Sequence, residues 1–263
     1  MPATLGDFAS VWPFLAVFVA SFLLGSVPFG LILTRMAGLG DIRQIGSGNI
    51  GATNVLRTGN KTIAALTLLL DGAKGAVPVL IAHGWSQDLA LVAATGALLG
   101  HLLPLWLYLD GLHHILVVAS CLFILLVGVV VMLVAPGSLA LIGPAILIAV
   151  SFRAWGGKGV ATGLGVLLAL CWPVGVLACL TWLLAALLFR YSSLAALLAF
   201  ALAPLYAAVL ADTPVGGMLW SDIQRMELAI MVALLIVLRH HENIRRLLRG
   251  AEPKIGRKAQ APA

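Results

Sequence analysis

The chain has 263 residues, 62% hydrophobic and 10% charged, with a formal net charge of +6 and a mean hydropathy of +1.09. Soluble domains carry about a quarter charged residues, so a water-soluble enzyme is excluded and an all-α, polytopic integral membrane protein is expected. Each crossing needs about 20 apolar residues, which leaves room for several spans and short loops, so residues 1–263 are read as one membrane domain.

Apolar runs predict helices at about 11–33, 62–82, 88–109, 114–135, 138–154, 159–172, 173–189, 194–211 and 225–239, nine candidate spans. No Lys or Arg precedes the first run, so it is read as a retained helix and not as a signal peptide. Glycine, proline or charge interrupts the pattern between runs, as at His83-Gly84-Trp85, Ala135-Pro136-Gly137 and Arg190-Tyr191-Ser192-Ser193. Cys121, Cys171 and Cys179 sit inside apolar runs, without the spacing of a metal site or disulfide framework. No metal and no cofactor is expected.

With the N-terminus outside, Arg35, Arg43, Arg57, Lys61, Arg153, Lys158, Arg190 and the basic tail, 240–263, share one side. Asp7, Asp88, Asp212, Asp222 and Glu227 take the other, with Arg225 as its one basic residue. This asymmetry obeys the positive-inside rule and predicts N-out, C-in. The positive charge is thereby read as topological, with membrane lipids and not nucleic acid as its partner. Three polar segments, 43–61, 153–162 and 239–258, then share the cytoplasmic face and suggest a composite site.

The first holds "GSGNIGATNVLR", 46–57. Gly46 and Gly48 permit positive φ, so successive amides can form an anion nest. A helix starting near Ala52 would add its N-terminal amides, and Arg57 offers a bidentate fork. Ser47, Asn49 and Asn54 complete the polar set. In the next run Asp71 and Lys74 are spaced i, i+3 on one helix face. Charges at that depth require pairing or a cavity. His83 and Asp88 have the His-x4-Asp spacing of another acyltransferase class, but fall in a short turn on the opposite side and are set aside.

"GGKGVATG", 156–163, repeats the phosphate-holding physics with Gly156, Gly157, Lys158, Gly159 and Thr162, without the full P-loop spacing. The tail begins "RHHENIRRLLRGAEPKIGRK", 239–258. Its arginines fit a surface anchor for anionic lipid; His240, Glu242 and Asn243 need another explanation.

"FLLGSVPFG" (22–30), "GSGNIGATNVLR" (46–57), "LDGAKG" (70–75), "GHLLPLWL" (100–107), "GGKGVAT" (156–162) and "RHHENIRRLLRGAEPKIG" (239–256) resemble, in matching order, the bacterial acyl-phosphate:glycerol-3-phosphate acyltransferases. The resemblance implies a seven-helix membrane fold in the bacterial inner membrane, with a cytoplasmic site. It implies acyl transfer from acyl-phosphate to the 1-hydroxyl of glycerol 3-phosphate, giving lysophosphatidic acid and phosphate in phospholipid synthesis. It places an essential serine and arginine at Ser47 and Arg57, with Asn49 and Asn54 alongside. Glycerol 3-phosphate binding falls on the 156–159 loop, and a functional histidine and asparagine on His240 and Asn243. Glu242 and Glu252 are supports, as are Asp71, Lys74 and His101. His240 is open as general base or phosphate donor, a substrate phosphate is open as base, and an acyl-Ser47 intermediate stays open. A monomer is expected.

The chain departs from the family pattern at about 110–153, where an apolar passage separates His101-Leu102-Leu103-Pro104 from Gly156. It is read as an inserted membrane hairpin, because two added crossings leave every later loop on its original side. The main alternative to an acyltransferase is a transporter of phosphate or a phosphorylated metabolite, which would require polar residues along a path through the bilayer.

Overall fold

The computed structural model describes residues 8–107, 156–211 and 223–256. The predicted spans 114–135 and 138–154 lie outside these residues, as does the whole of the proposed hairpin at 110–153. Among the described residues the regular elements are all helices: α1 (Phe8–Gly25), α2 (Phe29–Met36), the single turn α3 (Ala52–Val55), α4 (Lys61–His83), α5 (Gln87–Leu102), α6 (Val160–Leu170), α7 (Trp172–Phe189), α8 (Ser192–Ala211), α9 (Ile223–Arg239) and α10 (His241–Leu248). Seven of them have eleven residues or more, and five stretches are long and apolar enough to cross a membrane.

The run predicted as one span over 11–33 is broken. Pro28 lacks an N–H, so the hydrogen-bond ladder of α1 cannot continue through it, and α2 starts afresh at Phe29. Ser26 Oγ donates to Phe22 O at 2.7 Å and closes the last turn of α1. Elsewhere the predicted ends among the described residues hold within a few residues, except that the run predicted over 88–109 ends as a helix at Leu102, just before Pro104. Asn60 caps α4 by accepting from Ile63 N at 3.0 Å. Ser86 caps α5 by accepting from Leu89 N at 3.1 Å, which makes the His83–Asp88 stretch a helix-to-helix turn.

In lipid there is no hydrophobic drive between helices, so small residues that permit close approach decide the packing. α5 is buried along most of its length, with α1 against one face and α4 against another. A Cβ on Gly25 would collide with Ala97 O of α5, and one on Gly100 with Phe22 O of α1. The α4–α6 contact uses the same device, with Gly75 against Thr162 O and Gly165 against Gly72 O. Val79, Leu98, Val166, Phe200, Val232 and Leu235 fill the centre. Leu69, Leu80, Leu187, Leu188 and Val209 point outward, as a lipid-facing surface requires.

Candidate active site

The first polar loop is built around a buried asparagine. Asn54 Nδ2 donates to Ile42 O at 3.0 Å and Ile45 O at 2.8 Å, while its Oδ1 accepts from Ser47 N at 3.1 Å and Ser47 Oγ at 3.3 Å. Arg57 Nη1 reaches the same oxygen at 3.4 Å. Asn54 is 3% exposed, so it pins the loop from below and leaves Ser47 exposed above it. Asn49 Oδ1 likewise turns inward, accepting from Gly51 N at 2.8 Å. Gly46 and Gly48 have φ of +58° and +70°, and a side chain on Gly46 would strike Arg57 and Asn54. α3 begins at Ala52, so the expected helix start is present as one turn. Before the loop, Asp41 binds Arg43 and Arg35, and these cations hold its carboxyl well below the usual range.

Lys158 Nζ donates to Asn243 Oδ1 at 2.5 Å, which joins the second polar segment to the third. Arg239 Nη2, at the end of α9, donates to Gly156 O at 3.0 Å and Gly157 O at 3.2 Å and fixes the path of the second loop. Gly159 turns the chain into α6 with φ of +78°. Thr162 faces inward: its Oγ1 donates to Asp71 O at 2.9 Å and lies 3.0 Å from His101 Nδ1. The expected offer of its hydroxyl at the surface is therefore not what the geometry displays.

Asn243 Nδ2 donates to Glu252 Oε1 at 2.6 Å, the same oxygen that accepts from Ser193 Oγ at 2.6 Å. Arg246 Nε donates to the other oxygen at 2.7 Å. Burial alone would raise the Glu252 pKa, but the Ser193, Asn243 and Arg246 donors outweigh it and the carboxyl is held below its ordinary value. His240 is buried, and its Nδ1 lies 2.7 Å from Ile236 O. A carbonyl can only accept, so Nδ1 carries the proton and Nε2 presents a lone pair. Burial, and then the Lys158 charge, depress the His240 pKa to about 4. Glu242 is on the outer face of α10 with a side chain 70% exposed, and its contact with this cluster is through Arg246, 3.9 Å away.

The three segments meet at one end of the bundle. The hydroxyls of Thr53, in the first segment, and Ser192, at the start of α8, are 3.0 Å apart, and the next residue, Ser193, is on Glu252. Ile255 N donates to Arg190 O at 2.7 Å and straps the tail across the same end. Arg57 belongs to the first of these segments and Lys158 to the second. Burial is the larger cause that lowers the Lys158 pKa to about 8, and Arg57 is among the cations that add to it. Ser192 and Ser193 were absent from the expected site. Their only mark in the sequence is a pair of hydroxyls at a helix start, which reads as a turn. Among the described residues no group of three or more His, Cys, Asp or Glu is placed to hold a metal.

The family model described as "Glycerol-3-phosphate acyltransferase" matches residues 15–135 and 108–250. The chain belongs to that family. It is 44% identical over 269 residues to the glycerol-3-phosphate acyltransferase of Rhodospirillum rubrum, covering 98% of this chain and 99% of that one. With that of Caulobacter vibrioides strain NA1000 it shares 46% over 246 residues, 92% of this chain and 88% of the other. The fold is similar to crystal structures of PlsY (YgiH), an integral membrane glycerol 3-phosphate acyltransferase. Its glycerol 3-phosphate form gives a TM-score of 0.67 at 32% identity, covering 92% of this chain and 96% of PlsY. Its lysophosphatidic acid form gives 0.65 at 31%, covering 93% and 96%. The chain is thus an all-helical integral membrane acyltransferase of phospholipid synthesis.

Proposed function

We propose that the chain transfers a fatty acyl group from acyl-phosphate to the 1-hydroxyl of glycerol 3-phosphate, releasing phosphate and forming lysophosphatidic acid. Membership of the glycerol-3-phosphate acyltransferase family supports the acceptor. The observation that carries the two-phosphate reading is the meeting of two glycine-turned loops, one with Arg57 and one with Lys158: Thr53 of the first reaches Ser192, whose neighbour Ser193 binds Glu252, and Lys158 of the second binds Asn243, which holds the same Glu252.

Acyl-phosphate already contains an activated carbonyl and a good leaving group, so alignment and charge stabilisation are the main tasks. Arg57 and Lys158 hold the phosphates, and the Ser47 hydroxyl donates to the developing charge. The glycerol oxygen bonds to the acyl carbon, the carbon–oxygen bond to phosphate breaks, and one proton must leave the attacking hydroxyl. His240, with a pKa of about 4, is a weak base. A phosphate monoester has a second pKa of about 6. His240 Nε2 therefore orients a glycerol hydroxyl as acceptor, and a substrate phosphate oxygen takes the proton. This path needs no acyl-Ser47 intermediate.

The basic residues on the site's face support a bacterial inner-membrane location with the N-terminus outside and the site cytoplasmic. Segment 110–153 fits an inserted hairpin because its flanks come together: a Cβ on Gly156 would collide with Leu102 O and crowd Pro104 Cδ at 2.7 Å. The transporter reading is disfavoured because the deep charges Asp71 and Lys74 bind each other at 2.7 Å instead of lining a path.

The test supplies purified protein in lipid with acyl-phosphate and labelled glycerol 3-phosphate. Labelled lysophosphatidic acid is expected with release of one phosphate per acyl group. Labelled substrate crossing a vesicle membrane unchanged, with no product, would overturn the assignment.

A further inference from the structure

The chemistry above uses none of Asp71, Lys74 and His101, yet each is only 3% exposed, enclosed among the membrane helices. A buried ion pair is no better for stability than apolar residues of the same volume, so stability alone gives no reason for this set. Its hydrogen bonds run in two directions, one toward each glycine-turned loop.

Toward the first loop, Lys74 Nζ is 2.7 Å from Asp71 Oδ1 and donates to Val27 O at 2.8 Å. Val27 stands at the Pro28 break, where the direction of α2 is set. Gly30 of α2 is packed so closely on Ile50 O that a Cβ there would collide with it. Ile50 is three residues from Ser47, so a shift at the break is transmitted to the serine loop through backbone contact.

Toward the second loop, Thr162 Oγ1 gives its single proton to Asp71 O at 2.9 Å. At 3.0 Å from His101 Nδ1 it must then accept, which places a proton on Nδ1. Asp71 Oδ1 stands 4.0 Å from the same nitrogen. The opposite edge of the ring, at Nε2, lies directly beneath Gly157, with no room for a Cβ between them. His101 is thus the floor of the loop that carries Lys158.

We propose that Asp71, Lys74 and His101 are positioning residues: one buried network braces both loops and sets the separation at which the two phosphate-bearing substrates are held. This rests on the two-phosphate reading above. Each loop keeps its own phosphate ligands when the network is cut, so the loss falls on alignment of the reacting atoms. Misplacement by about 1 Å can lower a rate about a hundredfold.

The experiment compares the parent with D71N/K74M, which removes both charges and leaves neither unpaired. The expected result is a kcat at least tenfold lower, with the KM for each substrate within threefold and thermal unfolding within a few degrees of the parent. An unchanged kcat, or a rise in one KM alone, overturns the proposal. A variant that does not fold is replaced by H101N and H101L. Asn keeps a donor for Thr162 and should retain most of the kcat that Leu loses; equal activities overturn it. A parent that makes no lysophosphatidic acid counts against the functional reading instead. Spin labels at Gln44→Cys and Arg245→Cys, in a background with the native cysteines replaced, then decide the bracing without turnover. A broader distance distribution in D71N/K74M supports it, and identical distributions overturn it.

Discussion

Lys158 and Asn243, 85 positions apart in the chain, are joined by a 2.5 Å hydrogen bond from Nζ to Oδ1. Glu252 grips the other end of the same amide at 2.6 Å, so the ammonium is aimed by a residue that is itself aimed. Groups that act as a unit lose their effect together. Lys158→Ala and Asn243→Ala should each lower kcat/KM about a hundredfold, and the double variant should be little worse. A full set of kcat/KM values for the cycle checks this, and additive losses would mean that the two act separately.

The same lysine predicts a pH dependence. Its pKa is lowered to about 8, first by burial and then by Arg246, Arg239 and Arg57, with Glu252 opposing. Below that pH it is charged and attracts phosphate; above it the charge is lost, so kcat/KM for glycerol 3-phosphate should fall as pH rises through about 8. His240, depressed to about 4, stays neutral over this range and adds no second limb. Lys158→Arg keeps its charge and should carry the plateau to higher pH. The pH dependence of kcat/KM reports ionising groups of the free enzyme, so profiles from about pH 6 to about pH 10 test the pair, and identical alkaline limbs would count against Lys158 as the titrating group.

Asn54 supplies a third prediction. Both ends of its amide are bound, two donors to the Ile42 and Ile45 carbonyls and one oxygen to Ser47. Asn54→Asp removes the donors and sets a carboxylate beside Ser47 and Arg57; Asn54→Ala leaves buried carbonyls unpaired, at about 1–3 kcal/mol each. Activity should fall at least tenfold in both, and Asn54→Ala should also lower the unfolding temperature. Acyl transfer and thermal unfolding measured on one preparation check this. Full activity in Asn54→Asp would show that the loop does not depend on the amide.

These residues also show where sequence reading stops. Long apolar runs mark helices because the bilayer demands length and internally paired backbone, so α4 and α8 were legible within a few residues. Polar residues that share a face with no reason to be in lipid mark a candidate site, and that reasoning singles out Ser47, Arg57, Lys158, His240 and Asn243. The direction of a polar side chain is set by its tertiary partners, and no local pattern encodes it. Asn54 and Thr162 therefore read as ligands but lie inward, and Ser192 and Ser193 read as a turn but lie against Thr53 and Glu252. The break at Pro28 was visible in principle, since proline ends a hydrogen-bond ladder, yet the unbroken apolar run on either side concealed it.

The contact of Gly156 with Leu102 and Pro104 makes the passage at 110–153 open to a direct test. A segment whose flanks already touch closes its loop with little demand on the rest of the fold, and long insertions at such points are tolerated because closure entropy rises slowly with length. The network that positions Lys158 draws on Arg239, Asn243, His101 and Thr162, all outside the passage. Replacing residues 110–153 by a short glycine–serine linker should therefore keep lysophosphatidic acid production within about tenfold, a loss of at most about 1.4 kcal/mol in transition-state stabilisation. It should also leave the tail on its original side of the membrane, since a hairpin adds crossings in pairs. Product formation and protease access to the tail in vesicles measure the two outcomes. A tail that changes sides would mean that the passage contributes an odd number of crossings and is no hairpin.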